Sequence, residues 1–291
     1  MTNTEPALPN SPTLSKPTVP GKFELPARAA SGVVMGVAMV VALVFGGIVF
    51  AAVVAAAAIA ALREWHRLIN AGRLAREMIP TGLAMAAAAL LVQPPAKIGM
   101  ALLAIAAGAG VAAGSAALRR LPALWPIPWH AFGAPYIGFT VLALIVLRGE
   151  PLGTLLVGGL FVAVWTADTG ALLIGRTLGG PKLAPWLSPN KTWAGFIGGT
   201  LAAGAAEAIY VFLFDGSAVS GLAFGLLLAL AGHLGDLFES WVKRQFHAKN
   251  TGSLIPGHGG MLDRIDSLLF AAPACVGLIF SGFTPFPGII P

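Results

Sequence analysis

Apolar runs of 15 to 21 residues, broken by Gly, Pro and charge, follow one another from residue 29 to the end of this chain. A helix needs about 17 to 25 such residues to cross a bilayer, because lipid offers no partner for an unpaired backbone N–H or C=O. The candidate runs are Ala29 to Phe45, Ile48 to Leu62, Met78 to Val92, Ile98 to Leu118, Gly133 to Leu147, Pro151 to Ala167, Ala194 to Phe214, Gly221 to Gly235 and Ser267 to Phe286. Only 10% of the residues are charged and 57% are hydrophobic, against about 25% charged in a soluble domain. The expected fold is therefore all-α, a polytopic transmembrane bundle of about nine spans. It is preceded by a disordered tail over residues 1–28 and divides into N-terminal spans (29–150) and chemistry-bearing spans and loops (151–291).

Charge placement sets the expected topology. Only Gly46 and Gly47 separate the first two runs, so one long tilted helix is an alternative to a tight hairpin. Lys16, Lys22 and Arg28 precede the pair and Arg63, Arg67, Arg73 and Arg76 follow it. A single crossing would put a basic cluster on each face, against the positive-inside tendency. With nine spans and a cytoplasmic N-terminus, 16 of the 18 Lys and Arg face the cytoplasm, and only Lys97 and Arg148 lie outside. The net charge of +6 is scattered between apolar runs, which disfavours a nucleic-acid partner.

Three segments read as structural. Met1 to Pro26 is rich in Pro, Ser, Thr and Asn and cannot bury enough apolar surface to order itself; nothing in it reads as a removable secretory leader. Leu121 to Pro135 holds four prolines and two tryptophans, which is expected to prevent one regular helix and to give an interfacial connection; His130 there has little to mark it as catalytic. The single cysteine, Cys275, sits in an apolar run without an intrachain partner, so it reads as a small buried hydrophobe.

Polar residues that apolar spans cannot explain gather in two stretches, Thr166 to Trp193 and His233 to Ser267. If the eighth span continues as a helix, Asp236, Ser240, Lys243 and His247 share one face and Leu234, Leu237, Phe238 and Trp241 the other. A carboxylate with a hydroxyl and an ammonium one and two turns on suits a metal and phosphate site; a solvated face with an intrahelical ion pair is the competing reading. The following P-G-H-G-G run allows close backbone approach to phosphate oxygens. Asp263 and Asp266 would share a face and, with Asp236, form an oxygen-rich pocket for a hard cation such as Mg²⁺; helix capping is their alternative role. His258 lacks the neighbours of a structural zinc site and suits a hydrogen bond to substrate or loop. Asp168 closes a span, where an ionisable residue is costly. Ser188, Asn190, Lys191 and Thr192 form a compact polar turn in which Lys191 could hold a phosphate or anchor to headgroups.

At these residues the chain resembles the phosphatidate cytidylyltransferase, or CDP-diacylglycerol synthase, family. The family's fixed-spacing C-terminal pattern matches from Ser240 through Lys243, Arg244, Lys249, His258, Gly259, Gly260, Asp263 and Arg264 to Asp266. The G-D-L-x-E-S run from Gly235 and the A-D-T-G-A and S-P-N-K-T runs are also similar. The likeness covers the last 130 or so residues; the first 150 agree only in being apolar. Asn250 stands where the family has Asp, Ala194 where Glu is common and His233 where Gln is common.

The resemblance implies transfer of the cytidylyl group of CTP to phosphatidic acid, giving CDP-diacylglycerol and pyrophosphate, at a cytoplasm-facing site in a bacterial-type inner membrane. It implies Mg²⁺ on Asp236, Asp263 and Asp266, with Asn250 secondary, and Lys243 and Arg244 as further catalytic groups. Asp168, Ser188, Asn190, Lys191, Thr192, Ser240, Lys249, His258, Gly259, Gly260 and Arg264 are then the expected substrate contacts. A homodimer is carried as an open expectation. A CDP-alcohol phosphotransferase is disfavoured because Asp263 and Asp266 are separated by two residues, one too few for its D-x-x-x-D spacing. A membrane transporter would place its charges near the bilayer midplane rather than at span ends.

Overall fold

The computed structural model describes residues 24–70, 72, 75–92, 97–119, 126–252, 254–255 and 259–287, so the N-terminal tail lies outside the described residues apart from the first turn of a helix. Each of the nine apolar runs overlaps a helix, the ninth extending six residues past its end: α1 (Glu24–Phe45), α2 (Gly47–Ile69), α3 (Met78–Leu91), α4 (Ile98–Leu118), α5 (Pro126–Gly149), α6 (Gly153–Leu178), α7 (Trp193–Leu213), α8 (Ala218–Gln245) and α10 (Leu268–Phe280). A four-residue turn of helix, α9 (Leu262–Ile265), precedes α10, and a hairpin of β1 (Lys182–Ala184) and β2 (Ser188–Thr192) joins α6 to α7. Six helices, α2 and α4 to α8, are long and apolar enough to cross a membrane. The protein is a polytopic α-helical membrane protein.

Three expectations need correction. The proline-rich stretch is helical from Pro126 onward. Pro126 and Pro128 lie in the first turn, where backbone N–H groups have no helical partner in any case, and Pro135 forfeits only one hydrogen bond inside a 24-residue helix. Helix α6 runs on to Leu178, so Asp168 sits within the helix and not at its end. The S-P-N-K-T run is strand β2 and not a turn, paired antiparallel with β1 through Lys182 with Thr192 and Ala184 with Ser188.

The break between α1 and α2 falls at Gly46 and Gly47, both at positive φ, a conformation that glycine adopts without penalty. Helices α6, α7 and α8 pack through small residues, as lipid-embedded helices do. A Cβ at Gly195 or Gly199 of α7 would come within 2.7 or 2.5 Å of the carbonyls of Ala171 and Ala167, and one at Gly225 of α8 within 2.6 Å of that of Ala203. An aromatic cluster of Trp65, Trp129, Phe132, Tyr136, Phe238, Trp241 and Phe270 ties α2, α5, α8 and α10 together, and Trp65 Nε1 donates to Trp129 O at 2.9 Å.

The two ends of the bundle differ in polarity. One end carries Arg148, whose Nε donates to Leu43 O at 2.9 Å. At the other lie the last turns of α2, α4, α6 and α8 and the first of α3, α5, α7 and α10. There Glu77 pairs with Arg119, His66 stacks on His130 with Nδ1 atoms 3.0 Å apart, and Thr81 Oγ1 lies 3.0 Å from His66 Nε2. His130 is thus a helix-packing group, away from the cavity described next.

Candidate active site

The last turns of α6 and α8, the hairpin, the first turns of α7 and the α9–α10 junction enclose an open cavity of about 820 Å³. Gly235 explains how α8 comes so near that junction: a Cβ there would lie 2.5 Å from Asp266 O, so only glycine lets the two backbones touch. Asp236, the next residue, and Asp266 consequently line the same cavity, together with Asp168 of α6. Ser267 links two of these acids, its Oγ donating to Asp168 Oδ1 at 3.3 Å and its N–H to Asp266 Oδ1 at 2.8 Å. Burial pushes the Asp266 carboxyl well above the ordinary range, and the charges of Asp236, Glu239 and Asp168 push it further. Lys191 reaches in from β2 to pair with Asp236.

The chain's fold around Thr192 sets that reach. Its Oγ1 accepts from Gly195 N at 3.1 Å, capping α7, and alternation along β2 then leaves Lys191 half-buried beside the acids. Asn190, Thr192 and Arg264 also line the cavity. Ser188, Ser240 and Lys249 do not; Lys249 is exposed beyond the end of α8. Gly259 closes the glycine loop at φ +88°, exchanging backbone hydrogen bonds with Ile255 at 2.9 and 3.1 Å. His258 lies outside the described residues.

Asp263 differs from its expected role. It lines the cavity, but its oxygens accept from Lys243 Nζ at 3.0 Å, Gly260 N at 3.1 Å and Thr251 N at 3.1 Å. Burial would raise its carboxyl, yet Lys243 and the two amides outweigh burial and hold it below the ordinary value. Lys243 is flanked on its other side by Glu239, one helical turn earlier, so its charge is balanced within the protein and not turned to the cavity. Arg244 donates through Nε to Leu187 O at 3.2 Å and through Nη1 to Ala248 O at 3.3 Å. It braces the hairpin instead of facing the cavity. His247 follows the end of α8 at φ +53° and leaves the face it was expected to share. Asn250 lies in a separate cleft of about 310 Å³ beside Arg67 and Phe246.

Several cavity or loop groups are not apparent from motif spacing. Arg176, Lys182 and Phe196 line the cavity, as does His233, whose buried Nε2 has no hydrogen-bond partner. Glu64 of α2 and Glu239 of α8 are 3% and 1% exposed; Glu239 falls within the G-D-L-x-E-S run, whereas the sequence marks Glu64 only as an acid near the end of a largely apolar helix, a costly placement.

Carboxylate oxygens gathered in one cavity suit a hard divalent cation, and four cations on the same lining, Arg176, Lys182, Lys191 and Arg264, balance the four acids. Among the described residues no three acidic, His or Cys side chains already converge on one point. Asp168, Asp236 and Asp266 nevertheless offer carboxylates to one cavity, whereas Asp263 has its oxygens committed elsewhere. The residues therefore fit a cation held jointly with an anionic ligand better than a closed all-protein cage.

Curated relatives match about half of the chain. Phosphatidate cytidylyltransferase of Brucella suis is 51% identical over 146 residues, covering 50% of this chain and 54% of the relative. The protein of the same name from Rickettsia bellii is 39% identical over 155 residues, 50% and 67% of the two chains, and that of Staphylococcus saprophyticus 40% over 140 residues, 47% and 53%. The chain thus spans about half the length of most curated relatives it matches. The model of the cytidylyltransferase family matches residues 26–281, and with nearly the whole apolar region inside that match the chain belongs to the cytidylyltransferase family.

Proposed function

We propose that this protein transfers the cytidylyl group of CTP to phosphatidic acid, forming CDP-diacylglycerol and pyrophosphate. The observation that carries the reading is the composition of one cavity, where Asp168, Asp236 and Asp266 stand beside Lys191, Arg176, Lys182 and Arg264 at the polar end of an otherwise apolar bundle. A water-borne triphosphate and a bilayer-held phosphate meet at such a boundary, and both are anions.

In the reaction an ionised oxygen of the lipid phosphate attacks the α-phosphorus of CTP. The bond to the β-phosphate oxygen breaks, and its electron pair leaves with pyrophosphate. No general base is required, because the nucleophile already carries its charge. What the protein must supply is alignment and neutralisation. Asp168, Asp236 and Asp266 would hold Mg²⁺, which supplies charge neutralisation on the triphosphate. Lys191 sits where it can exchange its Asp236 partner for a phosphate oxygen, and Arg176, Lys182 and Arg264 give the cavity rim the opposite sign to the acids. The glycine loop holds Arg264 and Asp266 in place through Asp263. By the charge bias of the sequence, this end faces the cytoplasm of a bacterial-type inner membrane with the N-terminus on the same side.

The membrane-transporter alternative has no observation in its favour. The test is to incubate the purified protein in phosphatidic acid micelles with CTP labelled in the cytosine ring. Label should enter the lipid phase only with phosphatidic acid present, with pyrophosphate released in equal amount. Lipid labelling that proceeds equally with diacylglycerol, or none at all, would refute the proposal.

A further inference from the structure

The glycine loop is braced from two sides by carboxylates. One is Asp263, in the short helix α9 that follows the loop. The other is Glu64, 198 residues from Leu262 in sequence, on a helix of the N-terminal half. Its Oε2 accepts from Leu262 N at 2.8 Å and from Thr251 Oγ1 at 3.4 Å. The N–H of the same Thr251 donates to Asp263, so Thr251 bridges the two acids. Gly252 and Gly260 are flush against Glu64: a Cβ on either would come within 2.5 Å of a carboxylate oxygen. Glu64 is 3% exposed and lies between the fully buried Leu62 and Trp65. A carboxylate so placed is costly to bury without hydrogen bonds, and the bonds its Oε2 accepts come from Leu262 and Thr251 beside the loop.

We propose that Glu64 is a positioning residue for the transfer reaction, a clamp from the N-terminal half that sets the glycine loop so that Arg264 and Asp266 present to the cavity. Glu64 does not line the cavity and touches no substrate. It acts through Leu262 and Thr251, giving α2 a catalytic consequence that its apolar sequence does not suggest. The inference rests on the cavity being the nucleotide-transfer site.

The chain's single cysteine is fully buried, so a cysteine placed at Met261 reports loop opening through its rate of maleimide labelling. In the Met261→Cys background, Glu64→Ala removes the acceptor of Leu262 N and is expected to speed labelling about tenfold or more. It should lower kcat about 100-fold, as misplaced catalytic groups do, with KM for CTP little changed. Glu64→Gln keeps one acceptor and should recover most of both. Gly252→Ala displaces the carboxylate without deleting it and should move labelling and kcat in the same direction as Glu64→Ala, which secures the test should that variant not fold. Labelling at the parental rate in the folded variants overturns the clamp. Faster labelling with unchanged kcat overturns the positioning role. If the parent itself turns over no CTP, the transfer reading fails instead, and labelling still decides whether Glu64 holds the loop.

Discussion

Replacing Asp263 by Asn separates two roles for that residue, metal ligand and loop brace. The amide is isosteric but offers one acceptor where the carboxylate offers two. Asp263 receives Lys243 Nζ at 3.0 Å and the amides of Gly260 and Thr251 at 3.1 Å each. Whichever way the Asn side chain turns, its NH₂ faces a donor. The Lys243 and Asp263 side chains are only 13% and 10% exposed, so water replaces little of what is lost. Losing hydrogen bonds of a charged group costs about 2 to 3 kcal/mol, or roughly 30- to 150-fold in the loop's opening equilibrium. Amide hydrogen exchange at Thr251 and Gly260 should accelerate by that factor in Asp263→Asn, while exchange in the middle of α7 stays as in the wild type.

The pH dependence has a definite sign. Because the folded protein holds the Asp263 carboxyl below its ordinary value of 3.8, the brace contributes fully above that value. It is lost as pH falls through the lower folded value. Loop protection should therefore persist from neutral pH through 5 in the wild type. Unchanged exchange in Asp263→Asn, combined with a weakened response to Mg²⁺, would refute the brace and restore Asp263 as a metal ligand.

Gly235→Ala places a methyl group 2.5 Å from Asp266 O and should cost about 1 to 3 kcal/mol, read as a lower thermal midpoint with a loss of transfer activity. Arg244→Gln loosens the hairpin held at Leu187 O and the chain end past α8 at Ala248 O; kcat should fall far less than in Lys191→Ala, which removes the cation beside Asp236. His130→Ala leaves His66 Nδ1 without its partner in a buried pair and should lower the thermal midpoint, with a cost of about 1 to 3 kcal/mol, while kcat in the surviving folded protein is unchanged.

The bundle is legible because lipid imposes one rule on every span: apolar side chains outside and backbone pairing within. Each expected run therefore overlaps a helix, although the ninth, Ser267 to Phe286, extends past the 13-residue α10. The run boundaries were less informative because hydropathy marks where lipid ends, not where the helix ends; α6 and α8 continue past it, carrying Asp168 and Asp236 on helical faces. Spacing correctly gathers Asp236, Asp263 and Asp266 near one another, since all follow from two adjacent segments. It could not separate Asp263 from Asp168, because the partners that occupy Asp263 include the backbone of Thr251, and backbone donors leave no mark in side-chain pattern. Glu64 was hidden for a different reason: it meets the loop only after the N-terminal helices have packed, across nearly 200 residues. The continuation of α5 through Pro135 shows tertiary packing of Trp129, Phe132 and Tyr136 outweighing local proline preference.

The most direct measurement is the Mg²⁺ concentration dependence of CDP-diacylglycerol formation in the wild type and in Asp236→Asn and Asp266→Asn. The expected result is activity abolished by EDTA and restored by Mg²⁺, with each variant requiring far more Mg²⁺ and reaching a lower maximum. Wild-type transfer that is insensitive to EDTA, or variants whose Mg²⁺ dependence superimposes on the wild type, would contradict the placement of the triphosphate among these carboxylates.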